Sequence, residues 1–475
     1  MLLLPDFASM PQPIATSATS PQELVKTQHD FFKLGYTRDV DYRLRRLQDL
    51  RRAIEEQQDQ LLRALQVDLG KPPFEAVLAE LEFCLLEIDH ALKHLRSWTK
   101  PRSVGLPVTL WPGRAKVQRE PLGVVLIMGA WNYPVQLTLG PLVGAIAAGN
   151  CAVIKPSEVA PQSSRAIADL IRRAFDPMYV AVAEGGIQVS QALLEEPFDH
   201  IFYTGGPTVA KVVMAYAAQR LTPVTLELGG KNPCILDRSA DFPIAARRIV
   251  WGKFFNAGQS CLAPDYVLVP RDREAEFLAL AQAAITDFFG PTPSLSPDFA
   301  RIANDYHLER LLRLIPGSGQ LVIGGDADPR QRYLAPTLLA AVQWSDPVMQ
   351  EEIFGPILPV LAYDHLDGAI AQINARPHPL ACYVFANDRT ISRAIGRETT
   401  SGSLCVNDLL VQATVPDLPF GGVGASGMGR YHGRAGFELF SYQRSHLWRS
   451  AKPEFPMRYP PYDDNKLSWL SRLRS

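Results

Sequence analysis

The sequence contains few cysteines and almost no net charge. Its 475 residues include six cysteines, none of them spaced as CxxC or CxxxC, so neither a disulfide framework nor a metal site is expected. Such cysteine usage favours the reducing cytosol. Lys and Arg number 48 against 49 Asp and Glu, which gives a formal net charge of −1. Because nucleic-acid binding needs a basic excess, no nucleic-acid partner is expected.

A signal peptide and a fibrous repeat are not expected either. The N-terminal apolar run stops at Pro5 and has no basic region before it. The 33 glycines and 39 prolines follow no repeating period. Residues 1–22 are rich in Pro, Ser, Thr and Ala and are predicted to form a loose extension. The chain is 47% hydrophobic, which predicts a globular protein of two or three domains at about 100–200 residues each.

One uncharged run resembles a membrane span. Between Glu120 and Lys155 lie 34 residues without a charge, more than the roughly 20 apolar residues that cross a bilayer. Prolines, asparagines and a glutamine interrupt the run, so we predict a buried strand at 123–128, a turn, a short helix and a second strand at 152–154. Upstream, leucines at helical spacing predict one helix over 44–65, which ends before Gly70, and another over 81–95.

From residue 121 onward, apolar strands alternate with helical stretches. The segments GVVLIM, AVIK, IFYTGG and VTLELGG each end in a polar or glycine-rich turn, and a second α/β series runs from about 228 to 420. This alternation predicts an α/β fold with doubly wound parallel sheets, whose ligands bind beyond the carboxyl ends of the strands. Gly422, Gly424 and Gly427 match G-x-G-x-x-G but lack the flanking strand and helix, so they are not assigned to a phosphate loop.

Cys261 stands apart from the other cysteines. The other five lie in apolar helical or strand-like segments and are predicted to be small buried hydrophobes. Cys261 follows Gly258, Gln259 and Ser260 in a polar loop. A reactive thiol must be reachable, and a glycine in the turn lets a substrate approach the backbone closely. Cys261 is therefore a candidate nucleophile, with a structural cysteine as the alternative.

Three further segments carry groups suited to the same chemistry. Glu227 ends an apolar strand, where burial would raise its pKa as a general base requires, although a salt-bridged strand end would have the same pattern. Asn132 lies in GAWNYP, where its amide could face a developing oxyanion or simply form the turn. EEIFGP presents Glu352 for sugar hydroxyls and Phe354 for ring stacking.

Taken together, the segments resemble the signatures of the aldehyde dehydrogenase superfamily. Six segments occur in that family's order and cover roughly residues 40–445. They are PLGVVLIMGAWNYP, GNCAVIKPSE, TLELGGKNP, NAGQSC, EEIFGP and PFGGVGASGMGRYHG. The forms NAGQSCLAPDY, TPVTLELGGK and GMGRYHGRAGFELFS are most similar to the class 3 or fatty-aldehyde branch. The resemblance implies two doubly wound α/β domains with a small bridging element for oligomerisation.

The resemblance also implies catalytic roles. Cys261 would attack the aldehyde carbonyl as a thiolate and form a thiohemiacetal, whose oxyanion the Asn132 amide and the Cys261 backbone N–H would hold. After hydride transfer to the nicotinamide, Glu227 would activate the water that hydrolyses the thioester. The expected activity is oxidation of hydrophobic aldehydes to acids, with medium- or long-chain aliphatic, apocarotenal and aromatic aldehydes all open as substrates.

NAD is the expected cofactor, with NADP tolerated. Lys155 and Glu158 match the family positions that contact the adenosine ribose, and Glu158 would repel a 2′-phosphate. Glu352 matches the contact to the nicotinamide ribose. Phe354 and Trp131 would line the nicotinamide half of the site.

One motif departs from the family pattern. The family usually reads T-G-S-x-x-x-G where this chain has Thr204, Gly205 and Gly206 and then Ala210 in place of the last glycine. Gly206 thus replaces a hydroxyl that often touches the pyrophosphate. Pro207 still suits the first turn of a helix whose free N–H groups bind phosphate. Gly205 and Gly206 therefore remain candidate cofactor contacts.

The family architecture implies domain boundaries. The NAD(P)-binding domain would comprise 23–99 and 122–227, and the catalytic domain 228–420. Residues 100–121 and 421–445 would form the bridging element of a homodimer, followed by a tail at 446–475. In that tail an amphipathic helix could contact a membrane peripherally, cap the substrate tunnel or pack on a subunit. Its apolar residues are Leu467, Trp469, Leu470 and Leu473.

Two alternative functions are open at this point. A CoA-acylating dehydrogenase or acyl reductase on the same fold passes the thioester to a thiol or reduces it, and so has no need of Glu227. A non-catalytic binding protein on an inherited fold has no need of Cys261, Glu227 and Asn132 together. The presence of these residues argues against both alternatives.

Overall fold

The computed structural model describes residues 20–472, which divide into two compact units. Unit 1 comprises the chain up to Trp98 together with Pro121–Tyr442, and unit 2 comprises Thr99–Glu120 with the chain from Gln443 onward. Residues 1–19 of the predicted loose extension lie outside the described residues, whereas Pro21 and Gln22 already belong to a helix. The predicted division into cofactor, catalytic and bridging domains stays a prediction.

Helices and strands alternate through most of the chain. Within residues 20–472 the α-helices are α1 (Pro21–Lys33), α2 (Val40–Glu56), α3 (Gln58–Leu69), α4 (Pro73–Ala76), α5 (Glu82–Trp98), α6 (Gln136–Ala148), α7 (Pro161–Ala174), α8 (Ile187–Leu194), α9 (Pro207–Arg220), α10 (Phe242–Phe254), α11 (Glu274–Phe289), α12 (Asp305–Leu314), α13 (Leu366–Asn374), α14 (Arg389–Glu398), α15 (Gly433–Leu439) and α16 (Asp464–Arg472). Over the same range the strands are β1 (Arg102–Val104), β2 (Gly113–Pro121), β3 (Val124–Met128), β4 (Cys151–Lys155), β5 (Val180–Val182), β6 (His200–Thr204), β7 (Val224–Glu227), β8 (Pro233–Leu236), β9 (Tyr266–Pro270), β10 (Gln320–Ile323), β11 (Ala327–Asp328), β12 (Tyr333–Leu334), β13 (Thr337–Ala340), β14 (Ile357–Tyr363), β15 (Ala381–Phe385), β16 (Ser403–Val406), β17 (Gly427–Met428) and β18 (Ser441–Arg449).

The first large sheet of unit 1 has the strand order β17–β7–β6–β3–β4–β5. All its pairings are parallel except that of β17 with β7, in which Gly427 lies opposite Glu227. Helices α1 and α6 pack against β3 and β4, and α9 packs against β6 and β7. Because helices cover the sheet, β3, β4 and β6 are buried along their whole length, which explains their continuous apolar sequence.

The second large sheet of unit 1 has the order β10–β13–β14–β9–β8–β15–β16. Its strands are parallel except β10, which runs antiparallel to β13. Helix α11 packs against β9, β10 and β13, while α13 packs against β14 and α14 against β15. The predicted α/β fold with parallel, helix-covered sheets is confirmed.

Unit 2 contains a small sheet in the order β1–β2–β18. β1 and β2 pair antiparallel, and most residues of β18 are exposed. Helix α16 lies where the sequence predicts an amphipathic helix in the tail. Leu473 lies outside the described residues, as do the side chains of Trp469 and Leu470.

The N-terminal helices differ from the prediction in two ways. The single helix predicted over 44–65 is two helices, α2 and α3, which meet at Gln57 with φ −108° and ψ 14°. Gly70, at φ 56°, ends α3 as predicted, because glycine tolerates this left-handed conformation. Helix α1 is an addition to the prediction, and the Ser20 side chain caps it by accepting a hydrogen bond from the Glu23 N–H at 3.2 Å.

The uncharged run folds into β3, a turn, α6 and β4, as predicted. Among the residues that the structure describes, no helix has both the length and the apolar character needed to cross a membrane. Upstream of this run, the predicted helix over 81–95 corresponds to α5, which follows one π-helical turn at Val77–Leu81.

Candidate active site

Many of the predicted site residues lie at the carboxyl ends of strands in the first sheet. Glu227 is the last residue of β7, and Gly205 and Gly206 directly follow β6. Asn132 lies in the turn after β3, and Lys155 is the last residue of β4. Since these strands are parallel, their carboxyl ends share one edge, where ligands of doubly wound sheets bind.

The loop that carries Cys261 begins where α10 ends and has a strained backbone. Asn256, Ala257 and Gly258 have φ of 53°, 50° and 73°. A non-glycine residue in this left-handed region costs about 1–3 kcal/mol unless its surroundings hold it there. Here the Asn256 side-chain amide donates to the Gln259 carbonyl, and the Gln259 amide donates to the Asn256 carbonyl, each at 3.1 Å. These paired amides fix the shape of the loop.

Cys261 is partly exposed, whereas the other five cysteines are buried, as predicted. Burial of the thiol, and after it the carboxylates of Glu352 and Glu227, raise the pKa of Cys261 to about 12. The backbone N–H groups of Cys261 and Leu262 lower the pKa to a smaller extent. Such a thiol is protonated at neutral pH, so its attack on a carbonyl needs a base or an added positive charge.

Glu227 is a buried carboxyl with unengaged oxygens. It is 4% exposed, and neither oxygen has a hydrogen-bond partner among the described residues. Burial raises the pKa of Glu227 well above its ordinary value, and Arg430 lowers it to a smaller extent. Arg430 directs its guanidinium to the carbonyl oxygens of Gly422 and Gly429 instead of to the carboxylate. A carboxyl in this state has the properties of a general base.

Asn132 connects the turn after β3 to the Cys261 loop. Its side-chain amide donates to the Gln259 carbonyl at 3.1 Å, and its own backbone carbonyl accepts from the Asn256 amide at 2.9 Å. The residue is 3% exposed. An amide nitrogen carries two hydrogens, so one N–H remains for a substrate oxygen.

The loop that carries Glu352 and Phe354 lies against the Cys261 loop. A Cβ at Gly258 would lie 2.3 Å from the Gly355 carbonyl oxygen, so only glycine fits at this approach. A Cβ at Gly229 would lie 2.1 Å from the Glu352 Oε1, which places that carboxylate directly over the turn after β7. Burial, followed by the nearby Asp265 carboxylate, raises the pKa of Glu352 to about 8.

An aromatic cluster lies beside these loops. The Trp131 ring is 5.3 Å from the Phe354 ring at a steep angle, and 4.9 Å from the imidazole of His307. Burial, with a smaller effect of the Arg310 charge, lowers the pKa of His307 to about 4. Trp131 and Phe354 are therefore neighbours, as their predicted shared role requires. His307 was not predicted because it lies outside every recognised motif.

The remaining predicted cofactor residues lie further along the same edge. Lys155 is 3% exposed and forms an ion pair with the half-exposed carboxylate of Glu158. β4, which carries Lys155, is separated from β7 by β6 and β3, so this pair is apart from Cys261 and Glu227.

The turn between β6 and α9 has the features of an anion cradle. Gly206 precedes α9, and no side chain in the described part of the chain caps this helix start. A Cβ at Gly206 would contact nothing within 4 Å among those residues, whereas one at Gly205 would lie 2.2 Å from the Tyr203 hydroxyl. Open space beside free helix N–H groups fits a pyrophosphate.

Comparison with known proteins places the chain in a family. The profile of the aldehyde dehydrogenase family matches residues 16–446. Aldehyde dehydrogenase family 3 member B1 of Rattus norvegicus is 46% identical over 451 residues, which are 94% of this chain and 96% of the relative. The 4,4'-diaponeurosporen-aldehyde dehydrogenase of Staphylococcus aureus is 44% identical over 433 residues, 91% of this chain and 94% of the relative. The solved substrate-bound structure of Staphylococcus aureus AldH has a TM-score of 0.94 at 42% identity and covers 96% of this chain and 100% of that chain.

This chain belongs to the aldehyde dehydrogenase family. It is an NAD(P)-dependent aldehyde dehydrogenase, and solved structures of the same fold include complexes with NAD+. The resemblance inferred from the motifs, including its class 3 branch, is confirmed. The predicted fold class is also confirmed.

Proposed function

We propose that the enzyme oxidises hydrophobic aldehydes to carboxylic acids through Cys261 and Glu227. The observation that carries this proposal is the shared environment of the two side chains. The Glu227 carboxylate raises the pKa of the Cys261 thiol, and both Glu227 oxygens are unengaged among the described residues. A thiol nucleophile and an unengaged base close enough to influence its charge are the groups that acyl transfer to water requires.

The first half-reaction takes place at Cys261. Once the thiol has lost its proton, the sulfur adds to the aldehyde carbon and the carbonyl oxygen becomes an oxyanion. The second N–H of the Asn132 amide and the backbone N–H of Cys261 donate to that oxygen. When bound, NAD(P)+ supplies the hydride acceptor and a positive charge that favours the thiolate. The product of this half-reaction is a thioester on Cys261.

The second half-reaction takes place at Glu227. Its carboxylate takes a proton from a water molecule, and the resulting hydroxide adds to the thioester carbon. The carbon–sulfur bond then breaks, the carboxylic acid leaves and the Cys261 thiolate returns. The Arg430 charge lowers the pKa of Glu227 and so favours the ionised carboxylate that this step needs.

The same sheet edge supplies the residues that would hold the cofactor. Lys155 and Glu158 suit the hydroxyls of the adenosine ribose, because an ammonium and a carboxylate both hydrogen-bond to sugars. Glu158 also repels a 2′-phosphate, so NAD is preferred and NADP is tolerated. The other proposed cofactor contacts are Gly205 and Gly206 for the pyrophosphate, Glu352 for the nicotinamide ribose, and Trp131 and Phe354 for the nicotinamide half.

The proposed substrate class is supported by the relatives and by the aromatic cluster. One relative is named for 4,4'-diaponeurosporen-aldehyde. In this chain the rings of Trp131 and Phe354 lie 5.3 Å apart beside the Cys261 loop, where they can bound the substrate as well as the nicotinamide. Apolar walls with few polar groups favour substrates that gain free energy by leaving water. Medium- and long-chain aliphatic aldehydes are the members of this class that we propose first.

The test is NADH formation with a graded series of straight-chain aldehydes. We expect kcat/KM to rise with chain length in the wild type and to vanish in Cys261→Ala at every length. Activity that survives in Cys261→Ala would remove the nucleophile assignment. Activity that requires added CoA would transfer the proposal to the acylating alternative, and equal kcat/KM at all lengths would remove the hydrophobic substrate class.

We also propose that unit 2 serves assembly in a homodimer and that the enzyme is cytoplasmic. Aromatic and aliphatic side chains of unit 2 are exposed, among them Trp111 at 60%, Leu447 at 59% and Trp448 at 63%. Large exposed apolar residues of this kind commonly mark interfaces. Light scattering of the wild type and of a Trp111→Ser/Trp448→Ser variant tests this, and a wild-type monomer would contradict it.

The tail from residue 453 is proposed to gate long substrates or to contact a membrane peripherally. Deleting residues 453–475 should lower activity on long-chain aldehydes more than on short ones, and equal losses would remove the gating role. The domain division that we propose assigns 23–99 and 122–227 to cofactor binding, 228–420 to catalysis, and 100–121 and 421–445 to the bridging element. Residues 122–227 supply most strands of the first sheet, and residues 228–420 supply those of the second sheet.

A further inference from the structure

A buried ion pair lies beneath the turn that carries Asn132. Lys71 is 1% exposed and Glu80 is 0% exposed, and the Lys71 Nζ is 2.5 Å from the Glu80 Oε1. Neither residue belongs to a motif that the sequence analysis identified. Burying two charges is unfavourable unless further hydrogen bonds satisfy them. Lys71 and Glu80 therefore need hydrogen-bond partners besides each other.

The remaining hydrogen bonds of Lys71 and Glu80 hold the turn at Asn132 itself and at its C-terminal end. The Lys71 Nζ donates to the Asn132 backbone carbonyl at 3.0 Å. The Glu80 Oε2 accepts from the Val135 N–H at 2.9 Å and from the Gln136 N–H at 3.0 Å, at the start of α6. One ion pair thus fixes the Asn132 carbonyl relative to the start of α6.

The same segment also contacts the Cys261 loop. The Glu75 Oε2 accepts a hydrogen bond from the Asn256 N–H at 2.8 Å. Asn256 is the first left-handed residue of that loop, and its side-chain amide donates to the Asn132 carbonyl. The Asn132 carbonyl therefore accepts from both Lys71 and Asn256, so the segment from Lys71 to Glu80 holds both backbones that carry the proposed oxyanion donors.

We infer that Lys71 and Glu80 are positioning residues for the oxyanion site. They act through the backbone of the Asn132 turn and touch neither substrate nor cofactor. This inference rests on the proposed role of Asn132. An oxyanion donor must be fixed before the charge develops, and a displacement of about 1 Å reduces the rate by about 100-fold.

The test uses the double variant Lys71→Met/Glu80→Gln. Lys71→Met alone would leave the Glu80 charge buried without its partner and could prevent folding. In the double variant the amide introduced by Glu80→Gln still accepts from the Val135 and Gln136 N–H groups. The Asn132 carbonyl loses its Lys71 donor and keeps only the Asn256 amide. We expect the single-turnover rate of NADH formation to fall by about 10- to 100-fold. NADH affinity, measured by fluorescence titration, should change less than twofold.

A matched control separates positioning from general stability. Arg43 is also a buried cation. It donates to the carbonyls of Thr37 and Arg38, and to that of Ala147 at the other end of α6. Arg43→Met should lower the unfolding midpoint and leave the single-turnover rate of the folded enzyme within about threefold of the wild type. A rate loss in Arg43→Met equal to that of the double variant would overturn the inference.

A double-mutant cycle with Asn132→Ala identifies the path of the effect. Asn132→Ala alone should lower the single-turnover rate by about 100- to 1,000-fold. Adding Lys71→Met/Glu80→Gln to it should then lower the rate less than threefold further, because the group being positioned is gone. A full additional loss would overturn the positioning role alone. An unchanged rate in Asn132→Ala would overturn the proposed oxyanion donor, and this inference with it.

Discussion

Replacing Glu227 by glutamine should separate two consequences of its burial, one kinetic and one thermodynamic. The amide keeps the size of the side chain but cannot take a proton from water. The first turnover, which ends in the thioester, should persist in Glu227→Gln, while steady-state turnover falls by about 100- to 10,000-fold. Stopped-flow absorbance of NADH should therefore show a burst of one equivalent per active site followed by a slow phase.

The thermodynamic consequence follows from the raised pKa of Glu227. The folded protein retains a proton that the unfolded chain releases above about pH 4.3. The stability contribution of this carboxyl is thus fully present below about pH 4.3 and is lost as the pH rises toward the folded pKa. The loss is at most about 1.4 kcal/mol per pH unit, where the folded protein keeps the proton and the unfolded chain has released it. Between pH 5 and 7, the wild type should therefore lose unfolding free energy relative to Glu227→Gln.

Urea unfolding at several pH values measures this difference, and Glu352→Gln is the matched control. Burial also raises the pKa of Glu352, to about 8, so its replacement should give a difference with the same sign of pH dependence. Glu352→Gln should show no burst, because Glu227 remains to hydrolyse the thioester. A difference for Glu227→Gln that stays flat from pH 5 to 7 would contradict the raised pKa of Glu227. The same burst in both variants would contradict its role as the base.

The other predictions concern the loops and the cofactor. Gly258→Ala should destabilise the protein by about 2–5 kcal/mol, because the new Cβ would lie 2.3 Å from the Gly355 carbonyl oxygen at a left-handed φ. Urea unfolding measures this loss, with Gly368→Ala as the control, because a Cβ at Gly368 meets nothing within 4 Å among the described residues. Equal stabilities of the two variants would contradict the prediction. Gly206→Ser should tighten NADH binding a few-fold in fluorescence titrations, since a hydroxyl there can cap α9 and reach the pyrophosphate; weaker binding would show that the open space is needed. Glu158→Gln should raise kcat/KM with NADP relative to NAD by about 5- to 10-fold, the equivalent of removing about 1 kcal/mol of charge repulsion; an unchanged ratio would place the 2′-phosphate elsewhere.

The strands and loops that carry chemistry were predictable because their signals are local. GVVLIM and AVIK are continuous apolar runs that end in turns, and they became β3 and β4. The polar, glycine-containing approach to Cys261 distinguished this residue from five buried cysteines. Ser20 lies three residues before Glu23, a spacing that matches the capping-box pattern and could have predicted α1. The composition of residues 1–22 concealed this signal, and the structure shows the Ser20 half of the pattern.

Other features depend on long-range contacts and have no local signal. The break at Gln57 preserves the burial of apolar residues on both sides, so leucine spacing alone cannot reveal it. Lys71 and Glu80 look like ordinary surface charges in the sequence, because only the fold brings the Asn132 turn above them. The raised pKa of the Cys261 thiol likewise arises from its burial by the fold and, to a smaller extent, from carboxylates distant in sequence.

The pairing of β17 with β7 affects the order in which the active site can form during synthesis. Gly427 lies opposite Glu227, and the Leu228 N–H donates to the Ser426 carbonyl at 3.1 Å, so a segment about 200 residues downstream closes the edge beside the proposed base. Gly421 is as close, since a Cβ there would lie 3.0 Å from the Glu227 Oε1. A nascent chain can thus form all the parallel strands of both large sheets while the β7 edge is still open to pairing with other strands. Its base acquires a dry environment only after residues 421–428 leave the ribosome, so the proposed hydrolytic activity cannot begin before that segment has been synthesised.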